Sequence, residues 1–137
     1  MKKILIQTII ISLFFVIHNA KANIKSITEG DVDAKVKLIV FESLTCSHCA
    51  DFHKNVYPSL KTDFIDNGLI SIEFRNFPLD IAAFNASKIA HCKNDGKSEI
   101  LHHLYNNQSS WVRGSTIEDL NKNLKKVVHE LLFLNFY

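Results

Sequence analysis

The first half of the chain combines β-favouring runs with one helical repeat. Residues 36–41 (VKLIVF) predict a strand, and because residues 38–41 are all apolar we expect it to be covered on both faces, as in a parallel sheet. From Cys46 to about Asn67 apolar side chains recur at three- and four-residue steps, which predicts a helix. Residues 69–74 alternate between apolar and polar, which predicts a half-buried strand. Together these segments predict a βαβ unit.

Three local signals mark the ends and the middle of the predicted helix. Thr45 precedes it and can cap its first turn with a side-chain oxygen. Pro58 lies inside the repeat, where its ring and its missing N–H should kink the helix or split it near Tyr57. Asn67-Gly68 is a typical helix end. We therefore expect one helical segment with a break in it.

The second half of the chain predicts helices and no further strand. One apolar helical stripe covers residues 79–90, and a second helix is indicated near residues 100–105. A third helix, capped by Ser115 or Thr116, follows. The apolar residues 133–137 (FLNFY) are interpreted as a frayed tail in preference to a segment docked on the sheet.

The start of the chain has the layout of a removable secretory leader. Two lysines precede an apolar stretch at residues 4–17, and small residues lie one and three positions before a cut that would follow Ala22. A membrane span normally takes about 20 apolar residues, so this stretch is short for one. We expect a signal peptide at 1–22 and an exported domain at 23–137, with an uncleaved anchor as the alternative.

The charge of the chain argues against nucleic acid as a partner. The sequence has 137 residues, with 16 Lys and Arg against 14 Asp and Glu, which gives a formal net charge of +2. Lys2, Lys3 and Lys21 lie in the predicted leader, so 13 bases face 14 acids in the remainder. A domain this close to neutral has no basic footprint. Its 47% hydrophobic content and its length indicate one folded domain.

The sequence Cys46-Ser47-His48-Cys49 stands where the first predicted strand meets the helix. A Cys in a first helical turn faces unpaired N–H groups and the positive end of the helix dipole, and both favour the thiolate. Cys49 is one turn further on and is expected to be buried. Cys46 is then the attacking sulfur and Cys49 the resolving sulfur of an easily reduced disulfide. His48 can carry positive charge near Cys46 and lower its pKa further.

Two other interpretations of the cysteines stay open. Cys46, Cys49, His53 and Cys92 have plausible spacing for a zinc site, although no second Cys-x-x-Cys is present. The pair could also be a purely structural disulfide. Outside these alternatives, Cys92 is expected to be a small buried thiol in an apolar helical stripe. The remaining histidines of the helical half are expected on solvated helix faces: His102, His103 and His129.

Several segments resemble the DsbA family of thiol:disulfide oxidoreductases. Residues 43–50 (SLTCSHCA), followed by 52–61 (FHKNVYPSLK), are similar to the active-site strand, loop and helix of that family. Residues 74–80 (FRNFPLD), the Ala-rich helix that ends at Cys92, and Trp111 are similar to the part in which a helical domain is inserted into a thioredoxin fold. The similarity covers roughly residues 30 to 115.

The resemblance implies a fold class and an activity. The fold is an α/β one, a thioredoxin-like βαβ unit with a helical insertion at about 79–130, in which the C-terminal strands of the family are missing. The activity is that of a periplasmic oxidase or isomerase without a cofactor, in which Cys46 forms mixed disulfides with cysteine-containing substrate proteins. A membrane redox partner would recycle the pair.

Three departures from the family bear on that activity. Ser47 stands where relatives usually carry Pro, so the dipeptide that tunes the redox potential is altered. Val40 stands where many relatives have a buried acid, so proton transfer with Cys49 is expected to lack its usual relay. The family's cis-proline loop has no counterpart, because Pro58 and Pro78 are both upstream of its position. A non-catalytic remnant or a binding module is therefore the alternative.

Overall fold

The computed structural model describes residues 23–134 of the chain. Its strands are β1 (Ile27–Glu29), β2 (Val36–Glu42) and β3 (Ile70–Asn76). Its α-helices are α1 (Ser47–Asp51), α2 (Tyr57–Leu60), α3 (Ile81–Ala90), α4 (Glu99–Asn106), α5 (Gln108–Trp111) and α6 (Ile117–Leu134). π-helical turns at Phe52–Val56 and Lys61–Ile65 follow α1 and α2, so residues 47–65 form one continuous helical segment, the crossover helix. The predicted leader and residues 135–137 of the apolar end lie outside the described residues.

The strands form a mixed sheet in the order β1-β3-β2. β2 and β3 are parallel, with Val36 opposite Ile70, and the crossover helix connects them. The predicted βαβ unit is therefore confirmed. β1 pairs antiparallel with β3, with Ile27 opposite Phe74. The sequence did not predict β1, because three residues are too few to show an alternation.

The burial of the two parallel strands is the reverse of the prediction. β3 is the central strand, and residues 70–74 are all buried. Glu73 is a polar position of the strand that was predicted to be half-buried, yet it is covered, and its Oε1 accepts a hydrogen bond from Arg75 Nε at 2.9 Å. β2 lies at the edge of this sheet, where Ile39 is 44% exposed and Phe41 is 63% exposed. The expectation that β2 is covered on both faces is therefore wrong for the part of the chain described.

Pro58 interrupts the hydrogen bonding of the crossover helix. Proline has no N–H to donate to the carbonyl four residues earlier, so a regular α-helix cannot continue through it. Phe52–Val56 forms a π-helical turn instead, and α2 begins at Tyr57 with Pro58 in its first turn. A first-turn N–H has no partner within its helix, so proline is tolerated there. The predicted break near Tyr57 is confirmed, in the form of a change of helix type.

The helices after β3 complete the core. α4 packs against the first π-helical turn, and α6 packs against α3, α4 and α5. Trp111 of α5 has no exposed surface, and its Nε1 donates to the carbonyl of Leu104 at 3.0 Å. The core consists of buried residues from every layer: Ile27, Leu44, Tyr57, Ile65, Ile70, Ile72, Phe74, Ala82, Ala86, Ala90, Ile100, Leu101, Leu104, Tyr105, Trp111, Leu124 and Val127.

The prediction that only helices follow the last strand is confirmed for the described residues, although some helix ends differ from the prediction. Thr116 caps α6, since its Oγ1 accepts the N–H of Asp119 at 3.2 Å. The single turn α5 was not predicted. Cys92 is exposed, so its predicted burial is wrong, because α3 ends at Ala90 and Cys92 lies in the turn beyond. Between residues 23 and 134 no helix is both long enough and apolar enough to cross a membrane.

Candidate active site

Cys46 and Cys49 lie at the start of the crossover helix, just after β2. Cys46 is the N-cap residue of α1 and has an extended backbone (φ −78°, ψ 120°). Its carbonyl accepts the N–H of Ala50 at 3.2 Å, which closes the first helical turn. Both cysteines are half-buried. The structure thus brings the two cysteines together at a helix origin, where the sequence placed them.

The first turn of α1 favours the thiolate of Cys46. The backbone N–H of Cys49 faces the Cys46 sulfur, and this contact is the largest single influence on its pKa, which it lowers. The thiol of Cys49 and the N–H of His48 lower it further, against burial and the charge of Asp51. The net result is a pKa of Cys46 below its ordinary value, as expected for a sulfur that meets unpaired amides.

The pKa of Cys49 is shifted in the opposite direction, above its ordinary value. Burial raises the pKa of Cys49 most, and the backbone N–H of Ser43 opposes this only in part. The neighbouring Cys46 and the charge of Glu42 raise the pKa of Cys49 further. Cys46 is therefore the sulfur that ionises first, and Cys49 the sulfur that keeps its proton. This asymmetry is what an attacking and a resolving thiol require.

The two residues between the cysteines are exposed. Ser47 and His48 both point to the solvent-accessible side of α1. His48 acts on Cys46 through its backbone N–H. The predicted contribution of its imidazole charge stays a prediction.

Gln108 of α5 fixes the loop that carries Cys46. Its buried side-chain amide donates to the carbonyls of Leu44 and Cys46, both at 2.9 Å. Leu44 is fully buried, so its carbonyl has little access to water. Sequence reasoning missed Gln108, because 62 residues separate it from Cys46 and no local pattern marks it.

Thr45 ties the active-site loop to the start of α3. Its Oγ1 donates to Asp80 Oδ2 at 2.7 Å, and Asp80 Oδ1 accepts the N–H of Ala83 at 2.7 Å as the N-cap of α3. The predicted role of Thr45 as a helix cap is therefore wrong, since the N-cap of α1 is Cys46. Because no side-chain oxygen caps α1, its first-turn amides face the Cys46 sulfur.

A buried acid lies within electrostatic reach of Cys49. Glu42 is the last residue of β2, two positions beyond Val40, so both side chains lie on the same face of the strand. The side chains of Glu42 and His53 are each 1% exposed, and Glu42 Oε2 lies 2.7 Å from His53 Nε2. The site therefore contains a buried acid, Glu42, two residues after Val40, whereas the expected lack of a proton relay to Cys49 stays a prediction.

His53 connects Glu42 to a second ion pair. His53 Nδ1 lies 3.0 Å from Nδ1 of His102 in α4, and His102 Nε2 lies 2.6 Å from Glu29 Oε1 in β1. Tyr105 stacks on His53, with ring centroids 4.0 Å apart. His102 is only 20% exposed, so its predicted solvated position is wrong. The sequence of α4 alone does not show that Glu29 of β1 lies against His102.

Glu29 is the outer end of this cluster. Burial raises the pKa of Glu29, but hydrogen bonds from His102, Ser98 and Tyr57 together lower it to about 2. Lys61 Nζ lies 3.7 Å from the same carboxylate and is 42% exposed. The Glu29 carboxylate is therefore ionised at neutral pH and lies between His102 and the surface lysine Lys61.

The structure does not assemble the residues of the predicted zinc alternative. Both ring nitrogens of His53 face other side chains, and Cys92 is exposed beyond α3. Within residues 23–134 no group of three or more His, Cys, Asp or Glu side chains is arranged to hold a metal ion. His103 is half-buried, with Nε2 3.0 Å from the Val127 carbonyl, so its solvated position was also predicted wrongly. His129 is exposed, as predicted.

Comparison with known proteins decides the family. A family model described as thioredoxin matches residues 22–132. The chain belongs to this thioredoxin family. A Rickettsia bellii protein named as a protein-disulfide oxidoreductase is 34% identical over 84 residues, which cover 60% of this chain and 32% of that protein. A Bacillus cereus protein named as a disulfide bond formation protein D is 31% identical over 108 residues, covering 75% of this chain and 49% of that protein.

Solved structures agree with this thioredoxin-family assignment. The crystal structure of Wolbachia pipientis alpha-DsbA1 has a TM-score of 0.67 and 32% identity, and the match covers 78% of this chain and 54% of that one. A protein-disulfide isomerase from Novosphingobium aromaticivorans, at 20% identity and a TM-score of 0.61, shares the fold. The chain spans about a third of the length of the Rickettsia bellii protein and about half of the length of the Bacillus cereus protein. The resemblance to the DsbA family and the thioredoxin-like α/β fold are therefore confirmed.

Proposed function

We propose that this thioredoxin-family chain is an exported thiol:disulfide oxidoreductase that exchanges a Cys46–Cys49 disulfide with cysteine-containing proteins. The observation that carries the proposal is the start of the crossover helix, where the pKa of Cys46 is lowered and that of Cys49 is raised. Two sulfurs one turn apart with opposite shifts supply one nucleophile and one resolving thiol. The names of the relatives from Rickettsia bellii and Bacillus cereus support the same reaction.

The reaction moves two electrons from a substrate dithiol to the Cys46–Cys49 disulfide. A substrate thiolate attacks the Cys46 sulfur, the Cys46–Cys49 bond breaks, and its electron pair leaves on Cys49, which takes up a proton. The substrate is then joined to Cys46 as a mixed disulfide. A second substrate thiolate attacks the substrate sulfur of this bond and releases Cys46 as a thiolate. Because a sulfur with a low pKa leaves readily, the site favours oxidation of the substrate.

The proposed export would place the domain where this chemistry can operate. The leader expected at 1–22 would deliver the domain to an oxidising compartment, the periplasm in a bacterium with two membranes, where a disulfide can persist. Exposed Ser47 and His48 are proposed to modulate the reactivity of the pair. A membrane redox partner is proposed to restore the disulfide, and no cofactor is needed because the sulfur pair itself carries the electrons.

The proposal is tested on the purified full chain with a peptide that contains two cysteines and reports its own oxidation. The Cys46→Ser variant should fail to oxidise the peptide. When the reduced Cys49→Ser variant is mixed with the disulfide form of the peptide, Cys46 should attack that disulfide, release one peptide thiol and leave a mixed disulfide that mass spectrometry detects. Cys92→Ser is the matched control and should keep full activity, because Cys92 is exposed and outside the site. Equal activity of Cys46→Ser and wild type would refute the proposal. A wild-type chain that melts cooperatively but never oxidises the peptide would indicate a binding module instead.

A further inference from the structure

A cavity of about 500 Å³ lies beside the cysteine pair, and the sulfur chemistry described above does not use it. One wall is a face of the crossover helix, formed by Ser47, Ala50, Asp51 and Lys54. Ser47, Ala50 and Asp51 are spaced by three and four residues, so they lie on the same side of α1. The opposite wall is the end of α4 and the start of α5. Binding pockets typically have volumes of about 300 to 1,000 Å³, so this cavity is large enough for a side chain of a partner.

The cavity adjoins the residue that carries the attacking sulfur. Ser47 directly follows Cys46 in the chain. Gln108 lines the opposite wall and donates to the Cys46 carbonyl at 2.9 Å. A polypeptide joined to Cys46 as a mixed disulfide therefore has the neighbours of its own cysteine at the mouth of the cavity. Cys49 is a thiol in that intermediate, as it is in the structure.

Asp51 is the charged wall residue nearest to the cysteines along the helix. It follows Cys49 by two residues and is exposed. Its charge acts on the Cys46 sulfur, so the carboxylate is within electrostatic reach of the place where a substrate is attached. No ion pair within residues 23–134 includes Asp51. The carboxylate is therefore available to a cation that a partner supplies.

Lys54 puts a positive charge at the far end of the same wall. It follows Asp51 by three residues and lies about one helical turn further from the cysteines. A residue next to the substrate cysteine thus meets the charge of Asp51 before that of Lys54. This order of charges favours a base beside the substrate cysteine and disfavours an acid there.

We propose that the cavity is a substrate subsite for a basic side chain next to the substrate cysteine, and that Asp51 determines this specificity. The carboxylate of Asp51 pairs with the guanidinium or ammonium group of the substrate, and the apolar stem of that side chain lies along Ala50. The subsite holds the substrate beside Cys46 and changes no step of the sulfur exchange. The inference rests on the proposed function, because it names the class of cysteine-containing protein that the pair oxidises best.

The test compares two-cysteine peptides that are identical except that Arg, Gln or Glu flanks their cysteines. The rate constant for oxidation of each peptide is measured in a single turnover of the oxidised full chain. A flanking base also makes the peptide thiol itself more acidic, so the informative quantity is the ratio of the Arg rate to the Gln rate in each variant. This ratio should be about two- to fivefold lower in Asp51→Asn than in wild type, the range of an exposed ion pair. An unchanged ratio would overturn the proposal.

Charge reversal and a matched control separate Asp51 from general electrostatics. Asp51→Lys should lower the ratio of the Arg rate to the Glu rate below that of Asp51→Asn. Asp63→Asn removes the same charge from an exposed position of the same helix, outside the cavity, and should keep the wild-type ratio. The preference of wild type for the Arg peptide should weaken at high salt, because exposed charges are screened. An equal fall of the ratio in Asp63→Asn and Asp51→Asn would refute a specific role of Asp51.

Filling the cavity provides the second arm. Ser109 lines the wall opposite Asp51 and is exposed, so Ser109→Trp should occupy the space without changing any charge. It should lower the ratio of the Arg rate to the Gln rate as Asp51→Asn does. Ser110→Trp is the matched control, because Ser110 is the exposed neighbour outside this cavity. A wild-type ratio in Ser109→Trp would show that the basic side chain does not enter the cavity.

Failure of the proposed function has a different signature. If wild type oxidises none of the three peptides, both the function and the subsite are wrong. If wild type oxidises all three peptides and the ratios are the same in wild type and Asp51→Asn, the function stands and only the subsite is wrong.

Discussion

Gln108 tests how the helical half of the protein positions the active-site loop. Replacing it with Met keeps the length of the side chain and removes both donors, so the carbonyls of Leu44 and Cys46 lose their partner. Each hydrogen bond contributes about 1 kcal/mol net, so Gln108→Met should lower the free energy of unfolding by about 2 kcal/mol. With an unfolding entropy of about 2.1 cal/mol/K per residue over about 110 residues, the Tm should fall by about 9 °C.

The assay is thermal and urea unfolding of the reduced full chain, followed by circular dichroism. Ser109→Ala is the matched control, because Ser109 is the exposed neighbour of Gln108 and its loss should change stability by less than about 0.5 kcal/mol. The loop of Gln108→Met should also hold Cys46 less firmly at the helix origin, which slows its alkylation at neutral pH. A Gln108→Met chain that melts within about 2 °C of wild type would refute the reasoning, because the two carbonyls would then not depend on this amide.

Two further predictions concern the carboxylate cluster and the turns. Because the pKa of Glu29 is lowered from 4.5 to about 2, its carboxylate stabilises the fold above pH 4.5, and this contribution is lost as the pH falls from 4.5 through about 2. Urea midpoints measured over that range should fall less steeply for Glu29→Gln than for wild type, and identical slopes would contradict the account. An added Cβ at Gly30 (φ +88°) would stand 2.7 Å from the Ile70 carbonyl, whereas at Gly68 (φ +69°) it would meet nothing within 4 Å. The left-handed backbone should cost each alanine variant about 1 kcal/mol of unfolding free energy. In urea titrations Gly30→Ala should lose more than Gly68→Ala, because only its Cβ meets a carbonyl. Equal losses would argue against the clash.

Local patterns in the sequence were enough to predict the elements that carry the cysteines. The helical repeat after Cys46 and the alternation before Asn76 each extend over several residues of one element, so they are visible without any neighbour. Pro58 predicted its own effect because the missing N–H is a property of that residue alone. The position of Cys46 at the start of the crossover helix follows from these local features and was therefore predicted correctly.

The burial of the strands could not be predicted in the same way. A run of apolar residues shows that a strand can be covered, but the pairing of the strands decides which strand is central and therefore covered. β1 pairs with β3 and makes it central, and Ile27–Glu29 is too short to show a period. Ile39 and Phe41 of β2 are consequently exposed in the described part of the chain, while Glu73 of β3 is covered.

The histidine cluster was missed for a related reason. Glu42 and His53 are separated by 11 residues, His53 and His102 by 49, and Glu29 and His102 by 73. Glu29, Glu42 and His102 form no recognisable motif with their sequence neighbours, and the family resemblance that includes His53 does not show what its ring contacts. Glu42 ends β2 after an apolar run, where an acid usually marks the exposed end of a strand, so the sequence alone does not show that it is buried.

The central claim is that the amides at the start of α1 stabilise the thiolate of one cysteine of the pair and leave the other as a thiol. The most direct measurement is the alkylation rate of each cysteine in the reduced full chain as a function of pH, resolved by mass spectrometry of the two sulfurs. Cys46 should reach half of its maximal rate well below the pH at which free cysteine does, and Cys49 should reach half of its own maximal rate well above that pH. If both cysteines followed the profile of free cysteine, the account would be contradicted.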